Sequence, residues 1–478
     1  MAAGQHTDDT DGRDGGGRDG GGDTGDSTRP GHRLHLDEAT VRDEATRVFD
    51  HCAHCRRCVD LCGVFPSLFS LIDADGEAGD LTPAEQDRVT DLCHQCGLCR
   101  NECPYVPELH EARIDFPALM VRSVAMRRAA GQIPLRQRVG ARLLRSTNRR
   151  GVAGVVDPIA GRALGARRGS VTRSSVTRSV VATITGISRE AVMGPRSRQR
   201  FSSWFAQRPA VQPAPPAGSN PAVPVAVSIL ADCAMEYRDL SLGTDLVEVL
   251  ERNGVGCSLS AGRCCGAALL QSGDVAGFAA LAEANVAAMR ADGSAPIIVT
   301  QPTCVSTIRR DYPRYVDGPD VAAVLARVES ATDFLMGLHD RGALDTGFEA
   351  SATTVIEHRP CHDRVLATRT GELLGLVCDE VRTVNGCTGA NGGWGCMNAH
   401  ADESREMVSQ VAASIVANTG GMAARGADGS PFEHDDFLII GGCHQADIAL
   451  GEHLRTTPIH PVQMLARAYR STSGGGQQ

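Results

Sequence analysis

Beyond residue 224 the chain alternates short β-branched runs with stretches of helical periodicity, the pattern of α/β units laid on a parallel sheet. The runs AVSIL, IIVTQPT, TTVIEHRP and FLIIGG are strand-length, and they end beside Cys233, Cys304, Cys361 and Cys443. Four strands therefore deliver a cysteine just past their carboxyl ends, the edge where open α/β sheets place ligands. Upstream the texture is helical. FPALMVRSVAMRRAA and PLRQRVGARLLR carry helical spacing, and DADGEAGDLTPAEQDRV predicts a loop entering a helix with Thr82 at the N-cap, Pro83 at N1 and Glu85 at N3. No apolar run approaches the ~20 residues needed to cross a bilayer. Residues 1–33 hold Gly, Asp, Thr and Arg with little to bury, which predicts a disordered tail, and VQPAPPAGSNPAVP at 211–224 reads as a Pro-rich linker.

Between these regions lie two cysteine quartets, Cys52, Cys55, Cys58, Cys62 and Cys93, Cys96, Cys99, Cys103, each member of the second 41 residues after its counterpart. Both have the spacing C-x2-C-x2-C-x3-C, and Pro104 follows the second. Iron–sulfur clusters need soft thiolates converging on a compact core, and in two-cluster ferredoxins the fourth Cys of a run ligates the other cluster. On that rule Cys52, Cys55, Cys58 and Cys103 hold one [4Fe–4S] cluster, and Cys93, Cys96, Cys99 and Cys62 hold the second. Structural zinc is the competing reading, but it favours two separated C-x2-C pairs over a trio plus one. The proline expected after Cys62 is delayed to Pro66, and the long insert between quartets suggests a largely helical ferredoxin.

Cys264 and Cys265 are adjacent and followed by Gly266, with Cys233 before them and Cys304 after. Here the sequence resembles the cysteine-rich CCG domains of the heterodisulfide reductase B subunit and of iron–sulfur subunits of flavin-linked dehydrogenases. Those domains pattern as C, then CCG, then C-x-x-C, twice over. A two-quartet ferredoxin followed by two CCG-type halves is similar to the family of the anaerobic glycerol-3-phosphate dehydrogenase C subunit. Glycolate oxidase and lactate-utilisation iron–sulfur subunits are near relatives.

The resemblance covers about residues 45–470 and includes H-x-P-C-H at His358, Pro360, Cys361 and His362. It implies a third cluster on Cys233, Cys264, Cys265 and Cys304, although Gln301 stands at the leading position of C-x-x-C. In the second half Cys361, Cys387 and Cys443 match as metal ligands, while Thr388 and Ala446, which supply no thiolate, occupy two sulfur positions. Cys396, His362 or His444 are candidate replacements. Cys257 and Cys378 fall outside the motif and read as core residues, and His358 and His362 as ligands, proton relays or structural histidines.

Composition narrows the function. The chain has 478 residues, a net charge of −9, 18 cysteines and no lysine, which excludes Walker A, Schiff-base and kinase-type lysine chemistry. Aromatics are only 4%, which argues against a base-stacking surface, and no nucleic-acid partner is expected. A G-x-G-x-x-G match at Gly15, Gly17 and Gly20 lacks the flanking strand and helix of a dinucleotide site. Residues 111–210 carry 20 arginines and a net charge of +16, either a solvated helical face or a cationic surface for anionic lipid or an acidic partner.

The expected fold is α+β and multidomain, a helical two-cluster ferredoxin domain followed by two α/β cysteine-rich halves with parallel sheets. The boundaries expected are a tail at 1–33, the ferredoxin domain at 34–110, an Arg-rich helical region and linker at 111–224, CCG halves at 225–350 and 351–470, and a flexible tail at 471–478. The resemblance implies an electron-transfer subunit of an oxidoreductase complex, cytoplasmic or peripheral on the inner face of the membrane. It would take electrons from a flavoprotein dehydrogenase of glycerol-3-phosphate, glycolate or lactate type and pass them toward quinone. Disulfide reduction at the CCG cluster, or a non-catalytic sensor or scaffold, are the alternatives.

Overall fold

The computed structural model describes residues 35–146, 179, 182–191, 194–209, 226–419 and 437–474. The expected tail at 1–33, the linker at 211–224 and the arginines between 147 and 178 lie outside the described residues.

The N-terminal region is helical: α1 (Glu38–Cys55), α2 (Val64–Asp75), α3 (Pro83–Leu92), α4 (Leu98–Glu102) and α5 (Phe116–Ala129). Asp37 caps α1 by accepting from Thr40 N–H, and α3 starts at a capping box in which Thr82 and Glu85 exchange bonds. The apolar faces of α1 and α2 close on one core containing Val48, Phe49, Phe65, Leu68 and Phe69. Phe116, Leu119 and Met120 of α5 are in that same core, with Phe116 and Phe65 ring centroids 5.0 Å apart. The first domain therefore does not end at residue 110. Each buried Phe or Leu contributes roughly 1.5–3 kcal/mol, enough to bind α5 to the helices before it.

Two parallel sheets follow. The first has the order β2-β1-β3-β4, from β1 (Ala226–Ile229), β2 (Gly256–Leu259), β3 (Ile297–Val299) and β4 (Val328–Ser330). The second is β6-β5-β7, from β5 (Thr354–Arg359), β6 (Val381–Asn385) and β7 (Phe437–Gly441). In both, the first strand in sequence pairs with strands on either side, so the chain crosses over through helices as parallel pairing requires.

The halves are not separate bodies. One buried core joins Val227, Leu246 and Leu250 of the first half to Val355, Leu373 and Leu374 of the second. The closing helix Pro461–Gly474 places Val462, Leu465 and Tyr469 in it and continues past the boundary expected at 470. Asn253 donates to the Tyr469 hydroxyl at 3.1 Å, and that hydroxyl donates to Asp345 O at 2.9 Å.

The Arg-rich stretch is likewise divided rather than a domain. Its described N-terminal arginines act as internal ties: Arg122, 4% exposed, donates to His35 O at 2.5 Å; Arg127 pairs with Asp91 at 2.7 Å; Arg128 donates to Ser272 O of the first half at 3.0 Å. Helix α6 (Leu135–Ser146) follows, and farther on Phe201 of the helix Phe201–Gln207 is fully buried in the core shared by the halves.

Candidate functional site

Cys52 and Cys55 lie on the last turn of α1, and Arg56 ends that helix in a left-handed conformation with φ 50° that turns the chain toward Cys58. Cys103 arrives as the C-cap of α4. The Cys52 thiol faces Cys58, Cys103 and Cys55, and the four sulfurs line an apolar pocket with Phe65, Phe69 and Ile114. Cys93, the C-cap of α3, faces His94, Cys62 and Cys96, while Cys99 faces Cys96, Cys93, Cys58 and Cys62. The two quartets touch, with Cys58 Sγ 3.9 Å from Cys99 O. Gly97, following Cys96, has φ 86°, and an added Cβ would stand 1.9 Å from Arg310 Nη1, so this position needs glycine.

Burial, and then the neighbouring thiols, push the Cys58 thiol up to about 12; burial also holds Cys93 at about 12 despite His94 beside it. Buried thiols with raised pKa values are poor thiolates unless a cation replaces the proton. Iron bound to each sulfur would do that, so the donor set fits a polynuclear iron–sulfur group. Among the described residues no three Cys, His, Asp or Glu side chains close around a single metal ion.

A third thiol group sits at the carboxyl edge of the first sheet. Beyond β1, Asp232 accepts from Ala234 N–H at 3.0 Å and Met235 N–H at 3.1 Å, capping the helix headed by Cys233. Its other oxygen accepts from Thr300 Oγ1 at 2.5 Å, tying this turn to the end of β3, where Cys304 lies in the helix Pro302–Ser306. Beyond β2, the Cys264–Cys265 loop is clamped from behind: Asn285 donates to Cys264 O at 3.1 Å and to the Tyr312 hydroxyl at 2.7 Å, and Tyr312 donates to Cys265 O at 3.0 Å. Gly266, at φ 87°, starts the next helix with Leu281 and Phe278 only 3.0 Å from where a Cβ would be.

The Cys233 thiol is raised by Cys264 and by burial, and Cys265 by Cys264, Cys304 and burial. Cys233, Cys264, Cys265 and Cys304 line a cavity of about 450 Å³, together with Cys396, Cys443 and His444 from the second half. His444 Nε2 is buried without a hydrogen-bond partner. Two buried and two half-buried thiols and an unsatisfied imidazole nitrogen fit a metal group here too.

Parts of this chain are similar to known proteins. A model of the Citrate utilization protein B Fer4-like domain matches residues 45–131, which includes α5, and the CCG cysteine-rich domain matches 227–309. Over 140 residues the chain is 31% identical to the C subunit of anaerobic glycerol-3-phosphate dehydrogenase from Escherichia coli strain K12, spanning 28% of this chain and 35% of that protein. Over those residues the chain is homologous to that protein.

Similarity extends to Citrate utilization protein B of Escherichia coli, 34% identical over 77 residues, 16% of this chain and 18% of that protein. It reaches the B subunit of fumarate reductase (CoM/CoB) from Methanothermobacter marburgensis at 28% identity over 146 residues, 30% and 27% of the two chains. The match spans about a third of the length of the glycerol-3-phosphate dehydrogenase subunit. No solved structure matches.

The second half of the chain does not gather its three motif cysteines. Cys361 and Cys387 follow register partners Arg359 and Asn385 on β5 and β6, and their sulfurs lie 3.8 Å apart. They face the ferredoxin domain, where the Cys361 thiol meets Cys96 and Cys387 Sγ is 3.3 Å from His94 Nε2. Cys443 turns instead to the cavity of the first half.

His362 joins the groups: its Nδ1 is 3.6 Å from Cys361 Sγ and 3.2 Å from Thr303 Oγ1, beside Cys304. His358 hydrogen-bonds Gly386 O at 3.3 Å, and burial lowers its pKa to about 4. Cys257 and Cys378 pack in the shared core. His94 went unrecognised in the sequence, although it lies between two quartet cysteines; its carbonyl also accepts from Asn391 at 3.0 Å and Gln271 at 3.2 Å.

Proposed function

We propose that this chain is the electron-transfer subunit of a multi-subunit dehydrogenase or reductase, taking electrons from a flavoprotein that oxidises glycerol 3-phosphate, glycolate or lactate and handing them on toward quinone. Two [4Fe–4S] clusters, and a further cluster in the CCG module, would supply one-electron carriers when bound. What supports this most is the contiguity of the thiol groups. The first quartet adjoins the second at Cys58 and Cys99, the second adjoins Cys361 at Cys96, and His362 and Thr303 continue from Cys361 to Cys304.

The protein's own part is to hold these groups rigidly and dry. Arg100 and Arg314 both bind Asp115, fastening the ferredoxin domain to the first half, and Trp394 donates to Asp91 O at 3.0 Å from the second. Arg310, buried against Gly97, puts a positive charge beside the second quartet and favours its reduced, more negative state. No described helix is long and apolar enough to cross a membrane. A peripheral position on the cytoplasmic membrane face through the arginines of α6 completes the proposal.

The test is purification from the native cell. A flavin-containing subunit should copurify, and glycerol 3-phosphate, glycolate or lactate added anaerobically should bleach the visible iron–sulfur absorbance of this chain. A chain isolated without a flavoprotein, and unreduced by any of the three, contradicts the proposal.

A further inference from the structure

Gln301 stands where the CCG pattern calls for the first sulfur of the closing C-x-x-C, which leaves the first half with Cys233, Cys264, Cys265 and Cys304. The Gln301 side chain is not idle. Its Oε1 accepts a hydrogen bond of 2.9 Å from the backbone N–H of His444, drawing the end of β7 in the second half onto the position that lost its thiol. The residue before His444 is Cys443.

Three observations bear on that cysteine. Its thiol lies beside the Thr303 side chain, next to Cys304, and lines the cavity shared with Cys233, Cys264 and Cys265. It has been left by its own half, since Thr388 and Ala446 carry no sulfur and the Cys361–Cys387 pair faces the ferredoxin domain. And His444 Nε2, in the wall of the same cavity, is buried with its hydrogen-bonding capacity unused.

We propose that Cys443 completes the metal site of the first half from across the sheet-to-sheet boundary, supplying the sulfur that Gln301 cannot. Gln301 then acts as a positioning residue, holding the His444 backbone so that the Cys443 thiol enters the cavity. Binding exchanges the Cys443 thiol proton for iron, and the proton leaves to solvent, so no oxidant is required. The erosion of the second half at Thr388 and Ala446 and the loss of sulfur at Gln301 become one event: two incomplete half-sites merged into a single shared one. The inference rests on the reading that the first half binds a cluster.

Iron content and electron paramagnetic resonance of the full chain, purified anaerobically and chemically reduced, test it. Three four-iron clusters give about 12 irons per chain. Cys264→Ser should fall to about 8 while the two ferredoxin signals persist. Cys443→Ser should lose the same iron, or change the third signal, and Gln301→Cys added to Cys443→Ser should restore it. Cys257→Ala, in the core, should change nothing. The persisting ferredoxin signals and the Gln301→Cys rescue separate loss of a ligand from misfolding. If Cys443→Ser keeps wild-type iron and the third signal while Cys264→Ser loses both, the shared site is wrong and the third cluster stands. Wild-type protein with about 8 irons and no third signal overturns both.

Discussion

At the scale of single residues, what the sequence made legible was governed by separation along the chain. The eight quartet cysteines are spaced by two or three residues, so their local clustering is written in the spacing itself. His94 illustrates the opposite. It sits inside a motif, but its partner Cys387 is 293 residues away, and nothing local announces that contact. The buried histidines also contribute to the pH response. Burial lowers His460 from 6.5 to about 4, while its Nε2 bonds Thr300 O at 3.1 Å.

A histidine whose folded pKa is depressed contributes its full stability above the unfolded value. That contribution shrinks as pH falls from 6.5 toward about 4, because only the unfolded chain takes the proton readily. Over that window His460 should cost up to about 3 kcal/mol. Unfolding by urea at a series of pH values should therefore show a shallower acid slope for His460→Gln than for the parent, since glutamine keeps a donor without the titration. Parallel slopes would remove His460 as a contributor.

At the scale of elements, periodicity identified helices and strands well but could not assign them to neighbours. The stretch FPALMVRSVAMRRAA has helical spacing, yet only the structure puts Phe116 and Met120 against α1 and α2 rather than in a separate Arg-rich region. The closing helix is the same case: the sequence assigns residues up to 470 to the second half, while the structure buries Val462, Leu465 and Tyr469 in the core that both halves share. It packs on the helix Leu240–Arg252, and Arg470 reinforces that contact by pairing with Asp245 and with Glu248 at 2.7 Å. Leu465 is fully buried there. Leu465→Ala should lower the free energy of unfolding by about 2–5 kcal/mol, with both halves unfolding in one transition because they share the core. Two separate transitions, with only the second half weakened, would show the halves to be independent.

At the scale of the whole molecule, the chain arranges its thiols as neighbouring groups on a common scaffold. Two adjoining quartets in a helical domain meet the Cys361–Cys387 pair, and that pair leads through His362 to the four-thiol cavity at the edge of the first sheet. The order of these groups in space was not legible, because it depends on how sheet edges face one another. Their existence was, since each lies at a strand end or in a short motif. On the proposed function the quartets hold two [4Fe–4S] clusters with their fourth cysteines exchanged. Electron paramagnetic resonance of the anaerobically purified, reduced full chain tests it most directly. The account predicts two mutually interacting ferredoxin-type signals, with Cys103→Ser altering the cluster of Cys52, Cys55 and Cys58, and Cys62→Ser altering the other. A single signal, zinc in place of iron, or Cys62→Ser disturbing the cluster of its own run would contradict it.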